Sequence, residues 1–303
     1  MTPEHNKTNI LFLHCGGEWL RGSEYSLLSI ITGLENNGYN CLLLANRSIF
    51  VEAAQRQNLT ADKSDFPYVM IDPGDTSYHL PGALMQIIKL YRVIKRQQID
   101  LLYCNGALPA QAGYFAARMA GIPIIVHVRA PYPKRYIQLF NINRCNTTIF
   151  VSNATRDFHM SRAKIRNPVT IYNGVPETRN NGVPINLPPL PGRSSGNRLR
   201  LCQIGAIIKQ KGIDTVIEAI QLLKQEGILP VFYFVGKGND LGHYQSLVEK
   251  LALDEQIFFT GEIYDIPGFL QDSVDVNVLA SIWEEPFGRV IIEGYFAEKP
   301  VIG

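Results

Sequence analysis

At 303 residues the chain is too long for one typical domain and comfortable for two. Hydrophobic residues make up 46% and charged residues 18%, an ordinary globular balance, and no apolar run approaches the roughly 18 residues needed to span a bilayer. The net charge of +2 hides an asymmetry: up to Pro176 there are 18 Lys and Arg against 11 Asp and Glu, and beyond it 11 against 16. Two halves of opposite sign suggest two domains with different partners, the basic one suited to an anionic membrane surface or a phosphorylated acceptor. The N-terminus lacks the charged start, apolar stretch and small-residue cleavage site of a signal peptide. Five widely spaced cysteines without a C-x-x-C pair argue for reduced thiols in a cytosolic protein, against zinc and against a disulfide framework.

In chain order, residues 10–14 form an apolar strand and residues 24–34 carry helical spacing through Leu27, Leu28, Ile31 and Leu34. Strands follow at 41–45 and, briefly, at 68–71. Residues 83–98 read as an amphipathic helix, with Lys89, Arg92 and Arg96 opposite Leu84, Ile87, Ile88, Tyr91 and Ile94. Such a helix can lie on anionic lipid or be an ordinary surface helix. Strands at 99–104, 124–128, 147–152 and 169–174 surround a helix at 107–120. Near-continuous apolar strands alternating with helices indicate a parallel sheet covered on both faces. Residues 173–198 hold five prolines and four glycines with little periodicity, and read as a linker. The pattern then restarts, with strands at 200–205, 230–236, 257–261 and 274–279 and helices at 212–225, 241–251 and 266–271.

The last stretch concentrates the chemistry. Glu284 and Glu285 precede Pro286, which suits a first helical position; Val290, Ile291 and Ile292 then lead to Glu293, and Lys299-Pro300 stops the helix before a strand at Val301. A helix beginning at Pro286 would offer its N-terminal amides to an anion, with Gly288 allowing close approach. Along one continuous helix Glu285 and Glu293 would stand roughly 12 Å apart. That is too far for a hydrolytic carboxylate pair, which spans about 5–9.5 Å.

Several segments resemble a family. They are Gly22-Ser23-Glu24, Val151-Ser152-Asn153, Ile171-Tyr172-Asn173-Gly174, Ile204-Gly205 with Lys209-Gln210-Lys211-Gly212, Phe234-Val235-Gly236, and above all Glu285-Pro286-Phe287-Gly288-Arg289 through Glu293. Together they make the chain similar to glycosyltransferase family 4, a large retaining family with the two-domain GT-B fold. The resemblance implies an α/β protein of two doubly wound Rossmann-like domains facing a cleft. An acceptor-side domain would cover 1–175, a linker 176–198, and a nucleotide-sugar domain 199–303. That last domain would be incomplete, because a further strand–helix unit and a terminal helix follow in the family.

The resemblance further implies transfer of a sugar from a nucleotide-diphosphate donor to a sugar or lipid-linked acceptor, with retention and without metal or other cofactor. The setting would be cell-surface polysaccharide or lipopolysaccharide synthesis at the cytoplasmic face of the plasma membrane. It places Lys211 on the donor diphosphate, Glu285 beside the donor sugar, Glu293 on the ribose, and His127 near the reacting sugar. Gly22, Gly205, Phe287, Gly288 and Arg289 join the donor site. Gly16, Gly17 and Arg129 are weaker candidates for acceptor or phosphate contact. One departure is Ala206, where the family usually carries an arginine for the diphosphate, a contact Lys209 replaces only in part. A non-catalytic sugar-nucleotide binder and a GT-B sugar-nucleotide epimerase therefore stay open. The Gly236/Gly238/Gly242 spacing misses a dinucleotide fingerprint by one residue. Nothing points to nucleic acid.

Overall fold

The computed structural model describes residues 7–65, 80–175, 198–263 and 265–303. The chain divides into two compact units, Met1–Gly174 and Val175–Gly303.

In the first unit seven strands, β1 (Asn9–His14), β2 (Asn40–Ala45), β3 (Ala61–Lys63), β4 (Leu101–Asn105), β5 (Ile124–Val128), β6 (Thr147–Phe150) and β7 (Pro168–Thr170), form one parallel sheet in the order 3-2-1-4-5-6-7. Alternate residues of β1 face opposite layers. Leu11 and Leu13 pack with Leu90, Leu102 and Val126, while Ile10 and Phe12 pack with Leu27, Ile31 and Phe50. Both faces are therefore core, which is why the strands read as unbroken apolar runs. Helices α1 (Gly22–Asn36), α2 (Ser48–Gln55), α3 (Leu80–Arg96), α4 (Ala110–Ala120), α5 (Lys134–Leu139) and α6 (Asn153–Met160) cover the faces. The expected strand at 68–71 lies outside the described residues.

One expectation is corrected on α3. Its buried face is Ala83, Gln86, Leu90 and Ile94, whereas Leu84, Met85 and Ile88 are exposed beside Lys89, Arg92 and Arg96. Part of the helix's apolar stripe thus stands on the basic, solvent side. Helix α4 packs on α3 and exposes Phe115 and Met119.

The second unit repeats the plan with β8 (Arg200–Ile204), β9 (Val231–Val235), β10 (Ile257–Gly261), β11 (Val276–Val278) and β12 (Val301–Ile302) in the parallel order 10-9-8-11-12. Helices α7 (Ile213–Gln225), α8 (Leu241–Lys250), α9 (Ile266–Ser273) and α10 (Arg289–Phe296) accompany it. Phe232 and Phe234 fill one side of β9 and Val231, Tyr233 and Val235 the other. At the N-terminal end of β8, Arg200 grips Asp275 through Nη2–Oδ1 at 2.7 Å and Nε–Oδ2 at 3.1 Å. Both sheets reverse strand order beside their first strand, between β1 and β4 and between β8 and β11. Ligands of doubly wound sheets bind at the carboxyl ends of strands at such a switch point.

Candidate active site

In the second unit the switch point gathers three loops. Gly205 follows β8, and a single 3-10 turn at Lys209–Lys211 leads into α7. Gly212 caps that helix in the left-handed region at φ +67°, and a Cβ there would lie 1.8 Å from the carbonyl oxygen of Ala280. Ile282 N donates to Gln210 O at 3.0 Å, so the loops after β8 and β11 are sewn together. At Gly236 a Cβ would come within 2.1 Å of Gly205 O. Close packing, not a dinucleotide, therefore accounts for the glycine after β9.

On this platform Lys211 Nζ forms an ion pair with Glu285 Oε1, both side chains being mostly buried. The same oxygen accepts from Ser281 Oγ at 2.5 Å and from Trp283 Nε1 at 3.1 Å, and Lys211 stands over the Trp283 ring at 5.8 Å. Burial works to raise the Glu285 carboxyl. Hydrogen bonds from Lys211 and Ser281, with the lysine's charge and Trp283, outweigh it and hold the group below the usual carboxylate range. Gly205 lies against the Lys211 stem, a Cβ there falling 3.6 Å from Cε. The structure thus joins Gly205, Lys211 and Glu285, and adds Ser281 and Trp283.

The helix after this loop starts later than the sequence suggests. Gly288 takes φ +72° as the N-cap, so α10 opens at Arg289, and Pro286 and Phe287 belong to the loop. A left-handed residue cannot continue a right-handed helix, and glycine accepts that conformation without a Cβ penalty. Glu285 is therefore off the helix, and the 12 Å separation along a common axis does not apply. Glu293, one turn into α10, is held by Arg289 through Nε at 3.1 Å and Nη2 at 3.0 Å. Ala206 stands after Gly205 without a charge, and Lys209 is exposed, its backbone N donating to Asp240 Oδ2 at 2.9 Å.

In the first unit a buried polar relay occupies the corresponding strand ends. Glu24 of α1 accepts from His14 Nε2 at 3.0 Å, and His14 Nδ1 meets Asn105 Nδ2 at 2.9 Å. Asn105 Oδ1 accepts from Arg129 Nε. Arg129 Nη1 reaches Asn173 Oδ1 at 2.9 Å and Ser26 Oγ at 3.2 Å, and its Nη2 reaches His127 Nδ1 at 3.3 Å. Tyr103 Oη lies 2.5 Å from the same His127 nitrogen. Burial would raise the Glu24 carboxyl, yet hydrogen bonds from His14 and Ser23 prevail and bring it down to about 2. Burial first, and then the Arg129 charge, push His127 well below its ordinary value.

Gly16 abuts this relay: a Cβ there would meet Glu24 Oε1 at 2.6 Å and His14 Nε2 at 2.8 Å. Its N–H is taken by Asn46 Oδ1 at 2.8 Å, which corrects the expectation that it faces a phosphate. Gly17 lies beside the Arg21 guanidinium, and Gly22 is the first residue of α1. His14, Tyr103 and Asn105 were not among the expected site residues. The signal for them is positional, since each lies in or ends a strand beside the switch point.

Comparison with known proteins settles the family. The model described as Glycosyltransferase Family 4 matches residues 20–179, and that of Glycosyl transferases group 1 matches 192–303. The chain belongs to glycosyltransferase family 4. Among curated relatives of this family 4 chain, the UDP-Gal:alpha-D-GlcNAc-diphosphoundecaprenol alpha-1,3-galactosyltransferase of Escherichia coli is 26% identical over 227 residues, 66% of this chain and 57% of that protein. The lipopolysaccharide core biosynthesis glycosyltransferase LpsD of Rhizobium meliloti (strain 1021) is 31% identical over 99 residues, 33% of this chain and 27% of that protein. The match thus spans little more than half of the first relative and about a quarter of the second. Among solved structures, Anabaena Alr3699/HepE in complex with UDP-glucose aligns at TM-score 0.76 and 20% identity over 97% of this chain and 79% of that one. A glycosyltransferase from Rickettsia africae ESF-5 aligns at 0.77 and 20% over 98% and 79%. At that identity the likeness establishes the α/β GT-B fold class of the family 4 chain.

Proposed function

We propose that this family 4 chain moves a sugar from a nucleoside diphosphate donor to an acceptor hydroxyl with retention, in the assembly of a cell-surface polysaccharide or lipopolysaccharide. The observation that carries the reading is the Lys211–Glu285 cluster at the switch point of the second sheet. A compact cation there can balance charge growing on a leaving diphosphate, and a carboxylate beside it can hold sugar hydroxyls. Glu293, whose carboxylate is held by Arg289, takes the ribose-binding role that the family resemblance implies. In the reaction the anomeric carbon–phosphate oxygen bond breaks and a bond to the acceptor oxygen forms on the same face. The acceptor proton passes to the departing diphosphate, so no metal or cofactor is required of the protein. UDP-sugar chemistry in the names of the galactosyltransferase relative and of the UDP-glucose complex supports the donor class.

Peripheral contact with the inner face of the plasma membrane is part of the same reading. Leu84, Met85 and Ile88 are exposed on α3 beside its basic residues, and residues 101–156 contain no Asp or Glu. Among the described residues, no helix is long and apolar enough to cross a membrane. Ala206 favours a second reading, a sugar-nucleotide binder without turnover, because it stands where the family resemblance implies an arginine for the diphosphate.

The deciding experiment supplies UDP-, GDP- and ADP-sugars with candidate acceptors and follows nucleotide release and product anomeric configuration by NMR. Release with a retained anomer supports transfer. Tight donor binding without any turnover assigns the binder, and an epimerised free sugar nucleotide assigns the epimerase.

A further inference from the structure

We propose that Arg129 and Tyr103 are positioning residues that lock His127 as a neutral ring with its proton on Nε2, so that it serves as a fixed hydrogen-bond donor to a substrate oxygen and not as a base. The substrate part of this inference rests on the glycosyltransferase reading above, while the ring state rests on geometry alone.

Two groups converge on one ring nitrogen. Tyr103 Oη and Arg129 Nη2 both lie on Nδ1, at 2.5 and 3.3 Å. A phenol can donate or accept, but a guanidinium has only hydrogens to offer. Nδ1 must therefore present a lone pair to Arg129, and the proton of the neutral ring resides on Nε2. Arg129 has no freedom to swing away, because Nε is bound to Asn105 and Nη1 to Ser26 and Asn173. Tyr103 fixes the ring plane as well, meeting it edge-on with centroids 6.0 Å apart at 84°. Burial lifts the Tyr103 phenol to about 12, so it keeps its proton to donate.

The other ring nitrogen is left over. His127 Nε2 is buried and has no hydrogen-bond partner among the described residues. Native folds satisfy nearly all of their buried donors, so one left open beside a fully bonded Nδ1 calls for an acceptor from outside the chain. An oxygen lone pair, such as that of a sugar hydroxyl, is the group that fits. A proton to be abstracted is not, since the nitrogen that faces it already carries one.

The test is 15N-histidine NMR on the whole chain, the His127 signals being assigned by their loss in His127→Gln. The expected spectrum has a bare Nδ1 and a protonated Nε2 in a single tautomer at pH 7. A proton on Nδ1, a tautomer mixture or a charged ring would overturn the proposal. In Arg129→Met the tyrosine alone faces Nδ1 and can accept as well as donate, so a tautomer mixture is expected; an unchanged single tautomer would overturn the role of Arg129. If that variant does not fold, the wild-type spectrum still decides. In transfer assays His127→Gln, which keeps an N–H donor but no basic nitrogen, should retain at least about fivefold more kcat/KM than His127→Ala. Equal loss in the two would overturn the donor role. A wild-type chain that transfers nothing would sink the glycosyltransferase reading and leave the ring state, as measured by NMR, untouched.

Discussion

Lys211 and Glu285 stand 74 positions apart in the chain and neutralise each other at the end of the second sheet. On the proposed reading, a diphosphate entering the site would draw the lysine away from its carboxylate or share it. Lys211→Ala should therefore weaken UDP binding by about ten- to a hundredfold, the equivalent of a charged hydrogen bond worth about 1.5–3 kcal/mol. Glu285→Gln should bind UDP at least as well as the wild type, because the lysine no longer exchanges partners, yet lose transfer. Calorimetric titration of UDP checks both; a Glu285→Gln variant that binds UDP much more weakly would contradict the exchange.

Glu293→Ala should lower nucleotide affinity by about tenfold and, because it leaves the mostly buried Arg289 without this carboxylate, lower the melting temperature modestly as well. Titration of the nucleoside against the free sugar phosphate separates the effects: the loss should appear with the nucleoside only.

Gly212→Ala tests the sewing of the loops. The substitution would force a side chain into φ +67° and onto Ala280 O. A destabilisation of at least about 2 kcal/mol is expected. Thermal denaturation should show it as a lowered midpoint, and UDP affinity should fall with it because Lys211 precedes this residue.

Stability should fall with pH on the acid side of neutrality. His127 and His159 are both buried with values pushed below the ordinary one, chiefly by burial. Each takes up its proton at a higher pH in the unfolded chain, near about 6.5, than in the folded one. The unfolded state then binds more protons, so folding weakens as pH drops, by up to about 1.4 kcal/mol per pH unit for each ring. Urea denaturation at pH 7 and pH 5 measures this, and a flat profile would contradict it. Glu24 contributes separately: its depressed value supports folding above the unfolded carboxylate range near ~4.3, and that support disappears as pH falls toward about 2.

If the α3 surface meets lipid, reversing two of its charges with Arg92→Glu and Arg96→Glu should cut partitioning onto anionic vesicles at least about tenfold, at roughly 1 kcal/mol per charge near the surface. Met85→Ser should weaken it further. Co-sedimentation with phosphatidylglycerol vesicles, against zwitterionic ones, is the measurement; equal binding to both would leave charge without a role.

The long elements were legible because their periodicity is strong. Strands β1, β4 and β9 and helices α1 and α7 lie where the apolar spacing puts them. Helices α2, α5 and α6, of 8, 6 and 8 residues, escaped because so short a run shows barely two turns of periodicity. Strand β3, Ala61–Lys63, has no apolar alternation to reveal it. On α3 the sequence pointed to one apolar face, but Leu84 and Ile88 lie on the open side. Periodicity gives the width of a stripe without saying how much of it a neighbour covers. Lys211, Glu285 and Glu293 stand out in the sequence through resemblance to the family motif, whereas Tyr103 and Asn105 could be placed beside His127 only once strand order was known. The late start of α10 was hidden for a local reason: proline signals a helix start, and the left-handed turn at Gly288 overrode it.

The grip of Arg200 on Asp275 lies at the opposite end of the second sheet from the loops that carry Lys211 and Glu285. Holding the sheet together and reading a ligand are thereby assigned to separate ends of the same strands. Substitutions in the loops that carry Lys211 and Glu285 therefore leave the Arg200–Asp275 pair at the far end of the same strands in place.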